Sequence, residues 1–63
     1  MWENGYINVK HGMVVAFNGR NLSKDEPYHD YMNTASRQGW EIVGTFSDKD
    51  GGTVLLRRFI PAK

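Results

Sequence analysis

A helical repeat and a strand repeat meet at Gly39-Trp40, and that corner constrains the fold more than any other feature of the chain. Upstream, Tyr28, Tyr31, Met32 and Ala35 recur at i, i+3, i+4 and i+7, which lines one face of a helix. Arg37 falls in the last turn, where a cation meets the partial negative charge of the carbonyl end, and Gly39 stands where a left-handed residue closes a helix. The spacing predicts a helix that ends near Gln38. Downstream the residues alternate, with Trp40, Ile42, Gly44 and Phe46 on one side and Glu41, Val43 and Thr45 on the other. The pattern predicts a strand whose inner side is led by Trp40, a core anchor beneath the helix.

Where the helix starts is open between two caps. Ser23-Lys24-Asp25-Glu26 fits a capping box, in which Ser23 accepts from the amide of Glu26 and Glu26 reaches back. Pro27 argues for Asp25 as the cap instead, because proline is harmless only in the first turn, where its missing N–H would have had no helical acceptor.

Before the helix, Tyr6, Ile7 and Val9, then Val14, Val15 and Phe17, are β-formers interrupted by Lys10-His11-Gly12. This is either a hairpin turning at Gly12 or one long bent strand, and Asn18-Gly19-Arg20-Asn21 reads as a loop. After the corner, Ser47 to Gly52 is a turn and Thr53 to Ile60 a closing strand stopped by Pro61, so the last two strands form an antiparallel hairpin. The expected fold class is α+β: one domain over 1–63, an antiparallel sheet of three to four strands in the order β-β-α-β-β, with one helix packed on one face.

Sixty-three residues leave room for one small core, and chains of this size usually need a staple or a partner. The chain has no cysteine, which removes disulfides, zinc-thiolate sites and thiol nucleophiles together. No secretory leader and no membrane-spanning run is visible, so a cytoplasmic location and no membrane partner are expected. A net charge of +1 gives no global attraction to a polyanion, while 40% hydrophobic residues are too many for a disordered tail.

The surplus of apolar surface is the functional clue. Thr53 to Ile60 carries apolar residues on both of its faces, and Val14 and Val43 are expected opposite their better-packed neighbours. One helix covers one face, so the other meets water, a partner or the N-terminal residues such as Trp2. Arg57 and Arg58, adjacent in a strand, point to opposite sides. One of them belongs to the less-covered side, where with Trp2 and Tyr6 it could stack or bind an anion; its plainer role is a charge that discourages edge-to-edge pairing. The candidate interaction residues are Trp2, Tyr6, Val43, Arg57 and Arg58.

Catalytic and ligand motifs are weak throughout. His29 near Asp25, Glu26 and Asp30 could line one helix face as a metal site, but acidic residues crowd a first turn simply to offset the helix dipole. Asp48-Lys49-Asp50-Gly51 opens like a calcium loop and lacks its closing glutamate; Gly51-Gly52 precedes a strand, so it has no helix dipole with which to cradle a phosphate. Two histidines and scattered serines have no triad spacing. No catalytic, cofactor-binding or metal residue is assigned, and no enzymatic activity is expected.

The stretch Ala35-Ser36-Arg37-Gln38-Gly39-Trp40-Glu41-Ile42-Val43, followed by a glycine-rich turn and a basic strand ending near Pro61, resembles the domain-of-unknown-function family 4177 of bacteria and their phages. The resemblance covers about half the chain and implies the helix-to-strand architecture. It implies no activity, and it suggests a phage or mobile-element setting in which small proteins act by occupying another protein's surface. The expected function is therefore a non-catalytic protein–protein interaction module, homodimeric, in that setting an inhibitor of a host protein. The alternative is a small anion or nucleic-acid binder using the strand arginines and exposed aromatics.

Overall fold

The computed structural model describes residues 1–49 and 51–61, with Asp48 described by its backbone. Its elements are β1 (Trp2–Lys10), β2 (Met13–Phe17), β3 (Arg20–Pro27), α1 (Tyr28–Arg37), β4 (Glu41–Asp48) and β5 (Gly51–Phe59). The strands form one antiparallel sheet of five in the spatial order β3-β2-β1-β5-β4, and α1 packs on one face, against β2 and β3. The class is α+β. The element order is β-β-β-α-β-β rather than the expected β-β-α-β-β, and the sheet has five strands rather than three to four.

Two left-handed turns make the first three strands a meander. His11 and Gly12 have φ of 52° and 76° between the paired residues Lys10 and Met13, which settles the N-terminal segment as a hairpin. Consecutive positive φ values give the turn the twist that flanking strands need. The same geometry recurs at Asn18 and Gly19, φ 51° and 84°, between paired Phe17 and Arg20. Asn18 is fixed on β1: its Oδ1 accepts from the Tyr6 amide at 2.9 Å, and its own amide donates to the Tyr6 carbonyl at 2.8 Å.

The strand that follows, β3, is where the capping box was expected. Ser23 to Glu26 are strand residues, and the helix starts at Tyr28 with Pro27 as N-cap, φ −55° and ψ 137°, and no side-chain cap. The Tyr28 amide donates instead to the Gly12 carbonyl at 2.9 Å, so the β1–β2 turn caps the helix. At the other end the sequence reading holds. Gly39 has φ 91°, its amide donates to the Ser36 carbonyl at 3.0 Å, and the Trp40 amide donates to the Ala35 carbonyl at 3.1 Å. These are the two bonds of a Schellman closure, whose accompanying apolar contact is between Ala35 and Trp40, both buried.

The core is Ile7, Val14, Ala35, Trp40, Val54 and Leu56, ringed by Val9, Phe17, Leu22, Tyr28, Tyr31 and Met32. Two irregularities shift side chains from their expected faces. Val15 is extra between the pairs Asn8↔Ala16 and Val9↔Val14, so Val14 turns into the core rather than away from it. Val43 is extra between Ile42↔Leu56 and Gly44↔Leu55; beyond it the alternation is inverted, and Phe46, paired with Thr53, leaves the side it was expected to share with Trp40.

Candidate functional site

The sheet has one covered and one uncovered face. On the covered side β1 and β5 place Glu3, Gly5, Ile7 and Val9 against Arg58, Leu56, Val54 and Gly52. On the other side the same strands present Trp2, Asn4, Tyr6 and Asn8 against Phe59, Arg57, Leu55 and Thr53. Through their register β4 adds Glu41, Gly44 and Phe46 to this second face, and β2 adds Met13 and Ala16, the latter only 4% exposed beneath its neighbours. No described element lies over it, and it leaves Trp2 52%, Phe59 56% and Phe46 64% exposed.

The arrangement at its upper end is ordered. Trp2 and Phe59 meet edge to face with centroids 5.3 Å apart, a geometry the ring quadrupoles favour. The Arg57 guanidinium lies 4.3 Å from the centre of the Trp2 ring, while its Nε donates to Glu41 Oε1 at 2.6 Å. The cation is thus matched by a carboxylate of its own chain. Lower down, Asn8 Nδ2 donates to Thr53 Oγ1 at 3.3 Å, and the Tyr6 hydroxyl leans to the open space beside Gly19. The result is a mostly neutral platform of aromatic and aliphatic groups.

Arg58 goes the other way. Its guanidinium lies 4.6 Å from the centre of the Trp40 ring and its Nε donates to Glu3 Oε1 at 2.5 Å. Trp40 is seated in a slot: Arg58 lies over its face, Phe17 meets it edge-on at 5.7 Å, and Gly5 lies below with no side chain to obstruct the ring. A cleft of about 320 Å³ opens beside this slot, lined by Glu3, Glu26, Tyr31, Thr34, Trp40 and Arg58 among others. Burial, and secondarily the negative Glu26, hold the Tyr31 hydroxyl above its ordinary pKa of 10.0. A second groove of about 350 Å³, almost wholly apolar, runs between Tyr28 and the β4–β5 end.

Of the five candidate residues, Trp2, Tyr6 and Arg57 share the uncovered face. Val43 is the half-exposed bulge residue at the edge, and Arg58 is on the helix side, so the five do not form one surface. Trp2 does not cover the second face; it is part of what that face exposes. Leu55, Phe46 and Phe59 belong to the surface and were not singled out. Phe59 and Leu55 share the strand parity of Arg57, which the sequence does give, whereas Phe46 depends on the bulge.

Among the described residues no three of His, Asp and Glu are grouped to hold a metal ion, and His29 packs edge-on to Tyr28 at 6.5 Å. The loop reading over Asp48 to Gly51 includes Asp50, which lies outside the described residues. No helix of the described residues is long and apolar enough to cross a membrane. Compared with family models, with curated proteins and with solved structures, the chain matches none.

Proposed function

We propose that the chain is a non-catalytic protein-interaction module that works through the uncovered sheet face. The observation that carries this is the run of exposed Trp2, Tyr6, Phe46 and Phe59 around Leu55, whose one central cation, Arg57, is already neutralised by Glu41. Contiguous exposed aromatic surface on a small chain costs solubility unless something covers it. Interface cores favour such a composition: aromatic anchors with few uncompensated charges. In the setting implied by the resemblance to family 4177, itself part of this proposal, the role is occupation of a host protein's surface.

Site-specific crosslinking tests it. A photo-crosslinking residue at Tyr6 is expected to yield polypeptide adducts that the same residue at Thr34 on the helix does not. Equal yields at both positions, or none at Tyr6, contradict the reading.

One observation favours a second reading. Arg57 stacked on an exposed tryptophan is also how single-stranded nucleic acid is held, with bases stacking on the neighbouring rings. It requires salt-sensitive binding, because each neutralised phosphate releases counterions. The Glu41 partner of Arg57 and the net charge of +1 weigh against it.

A further inference from the structure

We infer that the occupant of the uncovered face is a second copy of the chain, packed face to face. The inference rests on the interaction reading above and names its partner.

Area supports it first. Five strands of 5 to 9 residues make up the sheet. At about 4.8 Å between strands and about 3.3 Å per residue, the face is roughly 600 Å². Two such faces bury roughly 1,200 Å², the lower end of a stable protein–protein interface. A core this small gains from that burial in proportion more than a large one.

Charge supports it second. A face that met its own copy with an unpaired cation would repel itself, and this one has its central arginine tied to Glu41 at 2.6 Å. The polar groups paired across the middle of β1 and β5 are neutral, namely Asn4, Asn8 and Thr53, and the one further cation of β1 on this side, Lys10, stands at the strand's end, on the rim of the face.

Relief leaves room for this. Leu55, Phe59 and Phe46 stand on β5 and β4, and by register Met13 shares the face on β2 with Ala16, which is 4% exposed and lies beneath its neighbours. Aligned sheets packed face to face sit about 10 Å apart, the thickness of one side-chain layer, which these side chains would fill between two copies.

Sedimentation velocity at micromolar to hundred-micromolar concentration, with far-UV circular dichroism on every sample, separates the outcomes. The wild-type chain is expected to sediment as a dimer of two 7.2-kDa copies. Leu55→Asp and the more exposed Phe46→Asp are expected to be folded monomers, and Ile42→Asp, on the helix side, is expected to leave the dimer intact. A folded wild-type monomer throughout overturns the second-copy inference and leaves the interaction reading to the crosslinking result. A dimer that survives both face substitutions and dissociates with Ile42→Asp overturns the inference and the choice of face together.

Discussion

Arg58 closes over Trp40: its guanidinium lies 4.6 Å from the ring centre and is held there by Glu3, so two charged residues act as the outer wall of the core. Its neighbour Arg57 makes the same kind of contact with Trp2 on the other side of the sheet. Adjacent arginines thus have different jobs, one finishing the core and one finishing a surface. Arg58→Ala should cost about 1 kcal/mol through the lost stacking and charge-assisted bond. Arg57→Ala, whose stacking on the exposed Trp2 and ion pair with the exposed Glu41 both face water, should cost less, about 0.5 kcal/mol. Urea unfolding of the two variants checks the contrast; equal losses would contradict it.

Gly5 is required by the tryptophan above it. A Cβ there would stand 3.2 Å from the Trp40 ring and 3.3 Å from Phe17, tighter than relaxed packing allows. Gly5→Val should destabilise by about 1–3 kcal/mol by overpacking the slot. The near-UV circular dichroism of Trp40 should weaken along with the unfolding midpoint. A normal spectrum at unchanged stability would mean the slot is looser than described.

Gly39 isolates a backbone effect. Its φ is 91°, and a Cβ added there would meet nothing within 4 Å, so any substitution cost is conformational and not steric. Gly39→Ala should cost about 1 kcal/mol, and Gly39→Asn less, because asparagine tolerates the left-handed region. Thermal unfolding that ranks asparagine below alanine would refute the helix closure as the cause.

Tyr31 predicts an alkaline limit. Its folded-state pKa is raised by burial first and by Glu26 second. The neutral hydroxyl is the form the fold prefers, so this contribution is complete below the ordinary value of 10.0 and is lost as pH rises through the higher folded value. Stability measured from pH 9 upward should fall less steeply in Tyr31→Phe than in the parent chain. Parallel curves would show that the hydroxyl is no more buried in the folded state than in the unfolded one.

The parts of the fold written in local pattern were legible. Tyr28, Tyr31, Met32 and Ala35 give the helix, Gly39 its end, and Trp40 its anchor, because a helix that packs on a sheet must repeat at 3.6 residues and stop somewhere. Strand β3 was not legible. As an outer strand with only Leu22 packed on the core, it has no apolar alternation, and Ser23 and Glu26 stand at capping-box spacing by coincidence. The paired positive-φ turn at Asn18-Gly19 was its one local sign. For the surface, parity alone separates Arg57 from Arg58. No parity argument places Phe46, because the extra residue at Val43 depends on how β4 settles against β5.

The uncovered face is the central claim, and contacts between copies test it most directly. In a mixture of isotope-labelled and unlabelled chains, filtered NOE spectra report only pairs of protons from different copies. The account predicts such NOEs among Tyr6, Phe46, Leu55 and Phe59, with none from α1. Intermolecular NOEs confined to α1 or β3, or none at a concentration where the face should be filled, would contradict it.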